Sequence, residues 1–302
     1  MSFPGLTIFA TPKTPRGHLD VIQRNAIGSW KQLRPSPEIY LFGNDHGTAE
    51  LAGDLQVSYL KDIGSNEFGT PLLNDLLRRA RTLARTPLLC YVNSDIILLQ
   101  EFQDAVCALS QRLSEFLCVA RRLNVDITVP LTFGKNWQRA FENDVTVRGT
   151  LGGPLAIDVF VFPRELYADA PPLVLGRAWF DQWLIKDART RGLPVIDVSR
   201  VAQAIHQNHD YRHIEGGQEA AYWGEEARRN LALYGGAPHA YTLLDVTHEL
   251  TPSGQIKRVR FRKSKAVLQR WLWKKAIAPT AELRKKIGLR RGPAQKKSTA
   301  KA

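Results

Sequence analysis

Residues 86–98, TPLLCYVNSDIIL, carry the strongest strand signal of the chain. An apolar run that turns abruptly polar is typical of a buried strand whose end reaches the surface. Asp95 follows this run, and a carboxylate there is costly to desolvate unless it meets water, a metal ion or a cation. Since hard divalent ions prefer oxygen ligands and bridge to phosphates, Asn93-Ser94-Asp95 predicts a metal–diphosphate site. A strand-end turn capped by an Asx side chain is the alternative.

Strands and helices alternate at short spacing on both sides of this segment. Such alternation predicts an α/β fold, a Rossmann-like, mostly parallel sheet covered by helices on both faces. The predicted strands are 6–11, 38–45, 55–60, 86–98, 127–131, 156–163 and 194–199, and the predicted helices are 18–33, 72–84, 101–118, 179–191 and 217–235.

Ligands of parallel sheets bind at the carboxyl ends of the strands, where the loops converge. That rule selects Thr11, Asp45 and Asp95 as candidate site residues. The loop 64–71, GSNEFGTP, leads into a helix and can offer backbone N–H groups to a phosphate or a nucleoside, which makes Asn66 a further candidate.

Three of the seven histidines lie within residues 206–213, HQNHDYRH. Imidazole, carboxylate and amide groups together suit a borderline cation, so His206 and His209 are candidate metal ligands. No pair of cysteines accompanies them, which excludes a zinc finger. A solvated surface loop is the alternative.

Asp181 lies among three large aromatic residues in GRAWFDQW, residues 176–183. Desolvation there raises a carboxyl pKa toward the range of a general base, whereas a solvent-facing acid in a first helical turn is the alternative. Asp158, within an apolar strand, and Trp179 are candidate acceptor-binding residues; a strand-edge residue without a ligand is the alternative for Asp158.

The net charge of +13 is concentrated at one end of the chain. Residues 256–302 hold 17 Lys and Arg against one acid, so residues 1–255 have a net charge of −3. We therefore expect a nearly neutral catalytic domain over 1–255 and a basic tail over 256–302 whose end is disordered, with nucleic acid disfavoured as a partner of the domain. No apolar run reaches the ~18 residues of a membrane span, and no secretory signal is recognisable, so the sequence predicts a cytoplasmic protein.

The segment 256–278 mixes nine basic residues with Trp271 and Trp273. Basic residues favour an anionic leaflet and tryptophan favours the headgroup region, which predicts peripheral attachment to a membrane through residues 256–290. A solvated tail and another polyanionic partner are the alternatives.

The order of these segments resembles that of the GT-A glycosyltransferases, the nucleotide-diphospho-sugar transferase superfamily, over roughly residues 5–250. The sequence also resembles a bacterial and plant set of uncharacterised GT-A-like proteins with N-S-D-I and H-Q-N-H-D-Y segments. The resemblance implies a GT-A-like fold, a nucleoside-diphosphate sugar as donor (uridine-based), an acceptor hydroxyl of unknown source, and Mn²⁺ or Mg²⁺.

The resemblance also implies roles for individual residues. Asp95 matches the last acid of the family's D-x-D triplet, the one that meets the metal, and Asn93 replaces its first acid at the nucleotide. His206 matches the metal histidine, with His209 as its competitor. Asp181 matches the catalytic base of inverting members. Thr11 and Asp45 fall where the family holds the nucleoside.

Two other functions compete with glycosyl transfer. A nucleotidyltransferase shares the sheet and the metal–phosphate chemistry, but residues 11–17, TPKTPRG, lack its glycine-rich signature. A non-catalytic protein that binds a polyanion or a nucleotide on a GT-A-like scaffold would explain Asn93 and the basic tail.

Overall fold

The computed structural model describes residues 3–210, 216–236 and 240–259. They all belong to one compact unit, Met1–Arg260. The strands are β1 (Leu6–Ala10), β2 (Glu38–Phe42), β3 (Ser58–Leu60), β4 (Leu88–Val92), β5 (Ile96–Ile97), β6 (Leu117–Val125), β7 (Thr150–Leu151), β8 (Ile157–Pro163), β9 (Val195–Asp197), β10 (Ala204–Gln207), β11 (His248–Leu250) and β12 (Ile256–Arg258). The helices are α1 (His18–Gln32), α2 (Thr48–Leu55), α3 (Leu73–Leu83), α4 (Gln100–Ser110), α5 (Trp137–Arg148), α6 (Phe180–Thr190), α7 (Gly217–Trp223) and α8 (Glu225–Tyr234).

The main sheet has the strand order β12-β11-β9-β6-β8-β4-β1-β2-β3. β4, β1, β2 and β3 pair in parallel, and so do β6, β9 and β11. β8 is antiparallel to both of its neighbours, β4 and β6, so these two groups of strands run in the same direction. The prediction of a mostly parallel α/β sheet is confirmed, and the carboxyl ends of β1, β2, β4 and β6 share one edge.

Alternation along β4 shows how both faces of the sheet are covered. Leu88, Cys90 and Val92 pack with buried residues of α1, α2 and α4, whereas Leu89 and Tyr91 pack with α3 and α6. Because successive side chains of a strand point to opposite faces, a strand buried on both faces reads as a continuous apolar run. The predicted helices on both faces are thereby confirmed.

A small extension of the sheet borders the end of β4. β10 pairs in parallel with the last residues of β6 and antiparallel with β5, and β7 pairs with the other side of β6. Its apolar face, with Leu123, Val125 and Ile205, packs against Phe141 and Val145 of α5. The opposite face of this extension carries polar residues.

Several elements differ from the sequence-based expectation. The helix predicted over 101–118 ends at Ser110, and β6 begins at Leu117. No strand forms over 127–131, and the helix predicted over 217–235 is two helices that meet at Gly224. The short apolar run at the start of β6 fits a buried helix as well as a buried strand, which explains the first error.

The end of the described region bears on the predicted domain boundary. Ile256–Arg258, which the sequence assigned to the tail, forms β12 and pairs with β11. The rest of the predicted tail, residues 260–302, lies outside the described residues. Within the described ranges, no helix has both the length and the apolar character needed to cross a bilayer.

Candidate functional site

The turn after β4 brings Asp95 to two histidines that are more than a hundred residues away in sequence. β5 continues directly from this turn and pairs with β10, with His206 opposite Ile96. Asp95 Oδ2 therefore lies 2.8 Å from His209 Nε2 and 3.6 Å from His206 Nε2. One ligand atom from each of the three residues lies within 4.8 Å of the others, so the group can hold a metal ion.

The side chains of this group are largely buried and incompletely hydrogen-bonded. Asp95 Oδ1 and His206 Nδ1 are buried and have no hydrogen-bond partner among the described residues. The ring of His209 is oriented by a 2.8 Å contact between its Nδ1 and the carbonyl oxygen of Asp210. A metal-bound histidine commonly donates its other N–H to such a carbonyl, and unsatisfied buried ligand atoms are what a cation would complete.

The two histidines of the group have pKa values shifted in opposite directions. Burial lowers the pKa of His206, while the hydrogen bond to Asp95 raises the pKa of His209. Burial alone would raise the pKa of Asp95, but the adjacent histidines outweigh it and hold that pKa below its usual range. The carboxylate is therefore ionised at neutral pH, as a metal ligand must be.

Two buried amides anchor the metal group to α1. Gln207 Nε2 donates to the carbonyl oxygens of Asp95 (3.0 Å) and Ile22 (2.7 Å), and its Oε1 accepts from Asn25 Nδ2 at 3.0 Å. Asn25 Oδ1 in turn accepts from the backbone N–H of Leu131 at 2.7 Å. The segment 127–131, predicted as a strand, is thus a loop held by a helix side chain.

Asn93 and Asp158 lie side by side across β4 and β8. Asn93 Nδ2 donates to Asp158 Oδ1 at 2.8 Å, and Arg122 Nη1 lies 3.1 Å from Asp158 Oδ2. Tyr91 donates its hydroxyl to Asn93 Oδ1 at 3.1 Å, so both ends of the Asn93 amide are engaged within the protein. Burial raises the pKa of Asp158, with Arg122 opposing the shift.

Asp181 stands in the first turn of α6, beside this network. The ring of Phe180 packs edge-on against Tyr91, with centroids 6.0 Å apart, which holds the start of α6 over the end of β4. Burial, followed by repulsion from Asp158, raises the pKa of Asp181 to about 7. Trp179, with a φ of 82°, ends the preceding loop, and its ring packs at a tilt against Tyr234, with centroids 5.2 Å apart.

The predicted nucleoside residues lie at the ends of β1 and β2. Thr11 directly follows β1, and Asp45, after β2, accepts from Thr14 Oγ1 at 3.3 Å. Burial lowers the pKa of the neighbouring Lys13, an effect that the attraction of Asp45 opposes. The backbone of Lys13 is fixed by two hydrogen bonds with the buried amide of Gln23, at 2.7 and 3.0 Å.

Asn66 stabilises its own loop rather than standing free. Its Oδ1 accepts from the N–H groups of Phe68 and Thr70, and its Nδ2 donates to Glu226 of α8 at 2.6 Å. Glu226 also pairs with Arg177 at 2.6 Å, and both side chains are only 12% exposed. The loop 64–71 is therefore tied to α8 and to the loop before α6.

Four charged residues of the site were not selected from the sequence. Arg122 lies on β6, of which only the first two residues fell inside a predicted element, the helix 101–118, so its neighbours could not be inferred. Lys13 follows a strand by three residues, and Arg177 precedes Asp181 by four, so strand-end position and motif proximity were usable signals. Glu226, on an otherwise ordinary polar helix, gave no signal.

Comparison with known proteins yields likeness of structure only. No family model matches the sequence, and no curated protein sequence matches it. The crystal structure of S. aureus TarS 1-349 in complex with UDP-GlcNAc aligns over 76% of this chain and 65% of the TarS chain, with 12% identity and a TM-score of 0.51. This chain therefore spans slightly less than two thirds of the TarS structure.

A second similar structure is glucosyl-3-phosphoglycerate synthase from Mycobacterium tuberculosis, in complex with Mn²⁺, UDP and glucosyl-3-phosphoglycerate. It aligns over 76% of this chain and 78% of its own, with 12% identity and a TM-score of 0.46. The strand order, the helices on both faces of the sheet and the alignment with TarS all indicate the same fold. The chain has a GT-A-type fold, and at 12% identity its likeness to TarS is one of fold.

Proposed function

We propose that this chain is a glycosyltransferase that moves a sugar from a nucleoside-diphosphate sugar to an acceptor hydroxyl with the help of a divalent cation. The observation that carries the proposal is the group of Asp95, His206 and His209 at the carboxyl end of β4, with ligand atoms within 4.8 Å of one another. The fold supports it, because TarS, which shares that fold, was crystallised with UDP-GlcNAc.

The donor atoms of the metal group fit Mn²⁺ or Mg²⁺. Asp95, His206 and His209 would hold the ion, and two imidazoles among the ligands favour Mn²⁺ over Mg²⁺. The buried, unpartnered Asp95 Oδ1 and His206 Nδ1 support this assignment. When bound, the cation supplies charge neutralisation for the diphosphate leaving group.

The nucleoside is proposed to lie beyond β1 and β2. Thr11 and Asp45 would bind a uridine moiety there, and the Lys13 ammonium, near Asp45, would face the phosphates. Asn66 would shape the loop that borders the nucleotide through its three hydrogen bonds. Asn93 would shape the end of β4 at the nucleotide: its side-chain amide bonds Asp158 and Tyr91, and its backbone bonds Asp158 and Ile96.

Asp181 is the proposed general base. With a pKa of about 7, its carboxylate can accept the proton of an acceptor hydroxyl near neutral pH. The hydroxyl oxygen then attacks the anomeric carbon from the side opposite the diphosphate, which inverts the configuration. Asp158, whose charge acts on Asp181, and Trp179, two residues before Asp181, would border the acceptor.

Metal-dependent hydrolysis of a nucleotide sugar tests this function without a known acceptor. We expect slow release of UDP from a UDP-sugar with Mn²⁺, none with EDTA, and none from the Asp95→Ala variant. A protein that binds nucleotide sugars but never releases UDP, with any sugar of a panel and with metal present, would be the non-catalytic binding protein instead.

A further inference from the structure

The polar face of the β6–β10 extension carries groups that the mechanism above does not use. Leu123 and Val125 pack into the apolar cluster under α5, so Arg122 and Asn124, which alternate with them, lie on the opposite face. In the β6–β10 register, His206 stands opposite Asn124. Arg122 and Asn124 therefore adjoin the metal group.

Arg122 has more N–H groups than partners. A guanidinium offers five donors, yet among the described residues the only bond of this side chain joins Nη1 to Asp158 Oδ2, at 3.1 Å. Its Nε is buried without a partner, as is Asn124 Oδ1, while the Arg122 side chain as a whole is 27% exposed. Because burying an unsatisfied polar group destabilises the folded protein, such a pair calls for an explanation.

The guanidinium is also held in one orientation. Asp158 is fixed from its other side by Asn93 at 2.8 Å, so the carboxylate that positions Arg122 is itself positioned. A fixed planar guanidinium with free N–H groups matches the geometry of a phosphate or a carboxylate better than a flexible ammonium does.

The place of Arg122 in the sheet indicates which substrate it faces. Along the strand order, β1 and β2 lie on one side of β4, whereas β8 and β6 lie on the other. Lys13 follows β1 and so lies on the nucleoside side, whereas Arg122 pairs with Asp158 on the other side. That second side is where the proposed function puts the acceptor.

We propose that Arg122, with Asn124 beside it, binds an oxyanion, a phosphate or carboxylate group carried by the acceptor. The proposal rests on the glycosyltransferase function proposed above and names the chemical class of its acceptor as anionic. The diphosphate of the donor presents the same oxyanion chemistry, so the test separates the two sources.

Calorimetry on the full chain gives that test. UDP is titrated into the protein with Mn²⁺, and inorganic phosphate is then titrated into the protein saturated with UDP and Mn²⁺. We expect phosphate to bind the loaded wild-type protein and Arg122→Met to weaken that binding about 10- to 100-fold, the loss of a charge-assisted hydrogen bond. UDP affinity should stay the same.

Two further variants control for folding and for general loss of charge. Arg121→Met removes the neighbouring arginine of β6, whose Nε donates to the carbonyl oxygen of Gly152 at 2.6 Å, and should leave phosphate affinity unchanged. Arg122→Lys keeps the charge but loses the planar fork, so phosphate binding should weaken by a smaller factor. This variant carries the test if Arg122→Met does not fold.

The other outcomes contradict the proposal in distinct ways. If Arg122→Met weakens UDP but not phosphate, the oxyanion is the diphosphate of the donor and the acceptor assignment is wrong. If phosphate fails to bind the loaded wild-type protein, or binds equally to the wild-type protein and to both Arg122 variants, Arg122 is not an oxyanion ligand. If the wild-type protein does not bind UDP at all, the proposed function fails first.

Discussion

At the scale of single residues, the environment of Asp181 gives the account its most specific chemistry. Burial and the neighbouring charge of Asp158 raise the pKa of the Asp181 carboxyl group to about 7. Natural proteins retain such unfavourable burial at sites where an ionisable group has a functional role at neutral pH. Activity and stability should therefore respond to this residue in opposite directions.

Asp181→Asn should abolish transfer while leaving the nucleotide site intact. The base acts on the acceptor and not on the diphosphate, so we expect UDP affinity within about twofold of wild type and a turnover lower by about 10²–10⁴-fold. Calorimetry and a UDP-release assay measure the two quantities. Transfer by this variant at the wild-type rate would show that Asp181 is not the base.

The pH dependence of turnover and of stability follows from the same pKa. Turnover should rise with pH through about 7, where Asp181 loses its proton. Stability should change the other way: the folded-state pKa lies above the unfolded value, so the folded state binds more protons, and stability falls as pH rises from about 4 to 7.

Asp181→Asn removes this titration, so the stability of the variant relative to that of wild type should increase as the pH rises. From pH 5 to the pKa of about 7 the titration spans about two pH units. At ~1.4 kcal/mol per unit, the free energy of unfolding of the variant should therefore gain at most about 3 kcal/mol on wild type between pH 5 and pH 8. Urea denaturation of both proteins at pH 5 and pH 8 measures it. A difference in stability between the two proteins that is the same at pH 5 and at pH 8 would argue against a buried, ionised Asp181.

At the scale of elements, α8 is coupled to the loops around the site by one buried ion pair. Arg177 and Glu226 are both 12% exposed, and Glu226 also bonds Asn66 in the 64–71 loop. Removing one partner of a buried pair leaves the other charge uncompensated. Substitutions in this pair therefore test the attachment of α8 to these loops.

Glu226→Gln should destabilise the protein by about 3–5 kcal/mol and loosen the 64–71 loop. Glu225→Gln is the matched control on the same helix, because the Glu225 side chain is 57% exposed and its pairing with Arg229 should contribute at most about 1 kcal/mol. Urea denaturation of both variants gives the comparison. Equal losses for the two variants would contradict a special role for the Arg177–Glu226 pair.

The elements also show what the sequence could and could not predict. β1, β2, β4 and β8 are apolar runs bounded by proline, glycine or polar residues, so they were read correctly, and Asp95 was found because it follows β4. β6, LCVARRLNV, contains two arginines and no bounding glycine or proline, so its first two residues were included in the predicted helix 101–118 and the rest was assigned to no element. The surroundings of Arg122 and Asn93 depend on strand register between β4, β6 and β8, which no local pattern encodes.

At the scale of the whole molecule, the body and the tail can be separated experimentally. β12 ends at Arg258 and Val259 packs against the core, so a truncation after Val259 keeps every strand of the described part of the chain. Limited proteolysis should leave a resistant fragment that ends close to this position. A stable product that ends well before β11 would contradict a body that reaches β12.

The proposed membrane attachment belongs to the tail alone. The full chain should sediment with anionic liposomes, whereas the chain truncated after Val259 should stay in the supernatant, because the excess positive charge lies beyond that residue. Raising the salt concentration should release the full chain. Equal recovery of both proteins in the supernatant would leave the tail with no role at a lipid surface.

The central claim, a metal-assisted nucleotide-sugar site at the end of β4, is tested most directly by calorimetric titration of a UDP-sugar panel. We expect at least one UDP-sugar to bind the wild-type protein with Mn²⁺, and EDTA to weaken this binding. The Asp95→Ala variant should stay folded and lose the metal-dependent part of the UDP-sugar affinity. If no nucleotide sugar binds with metal present, or if Asp95→Ala binds as wild type does, the claim is contradicted.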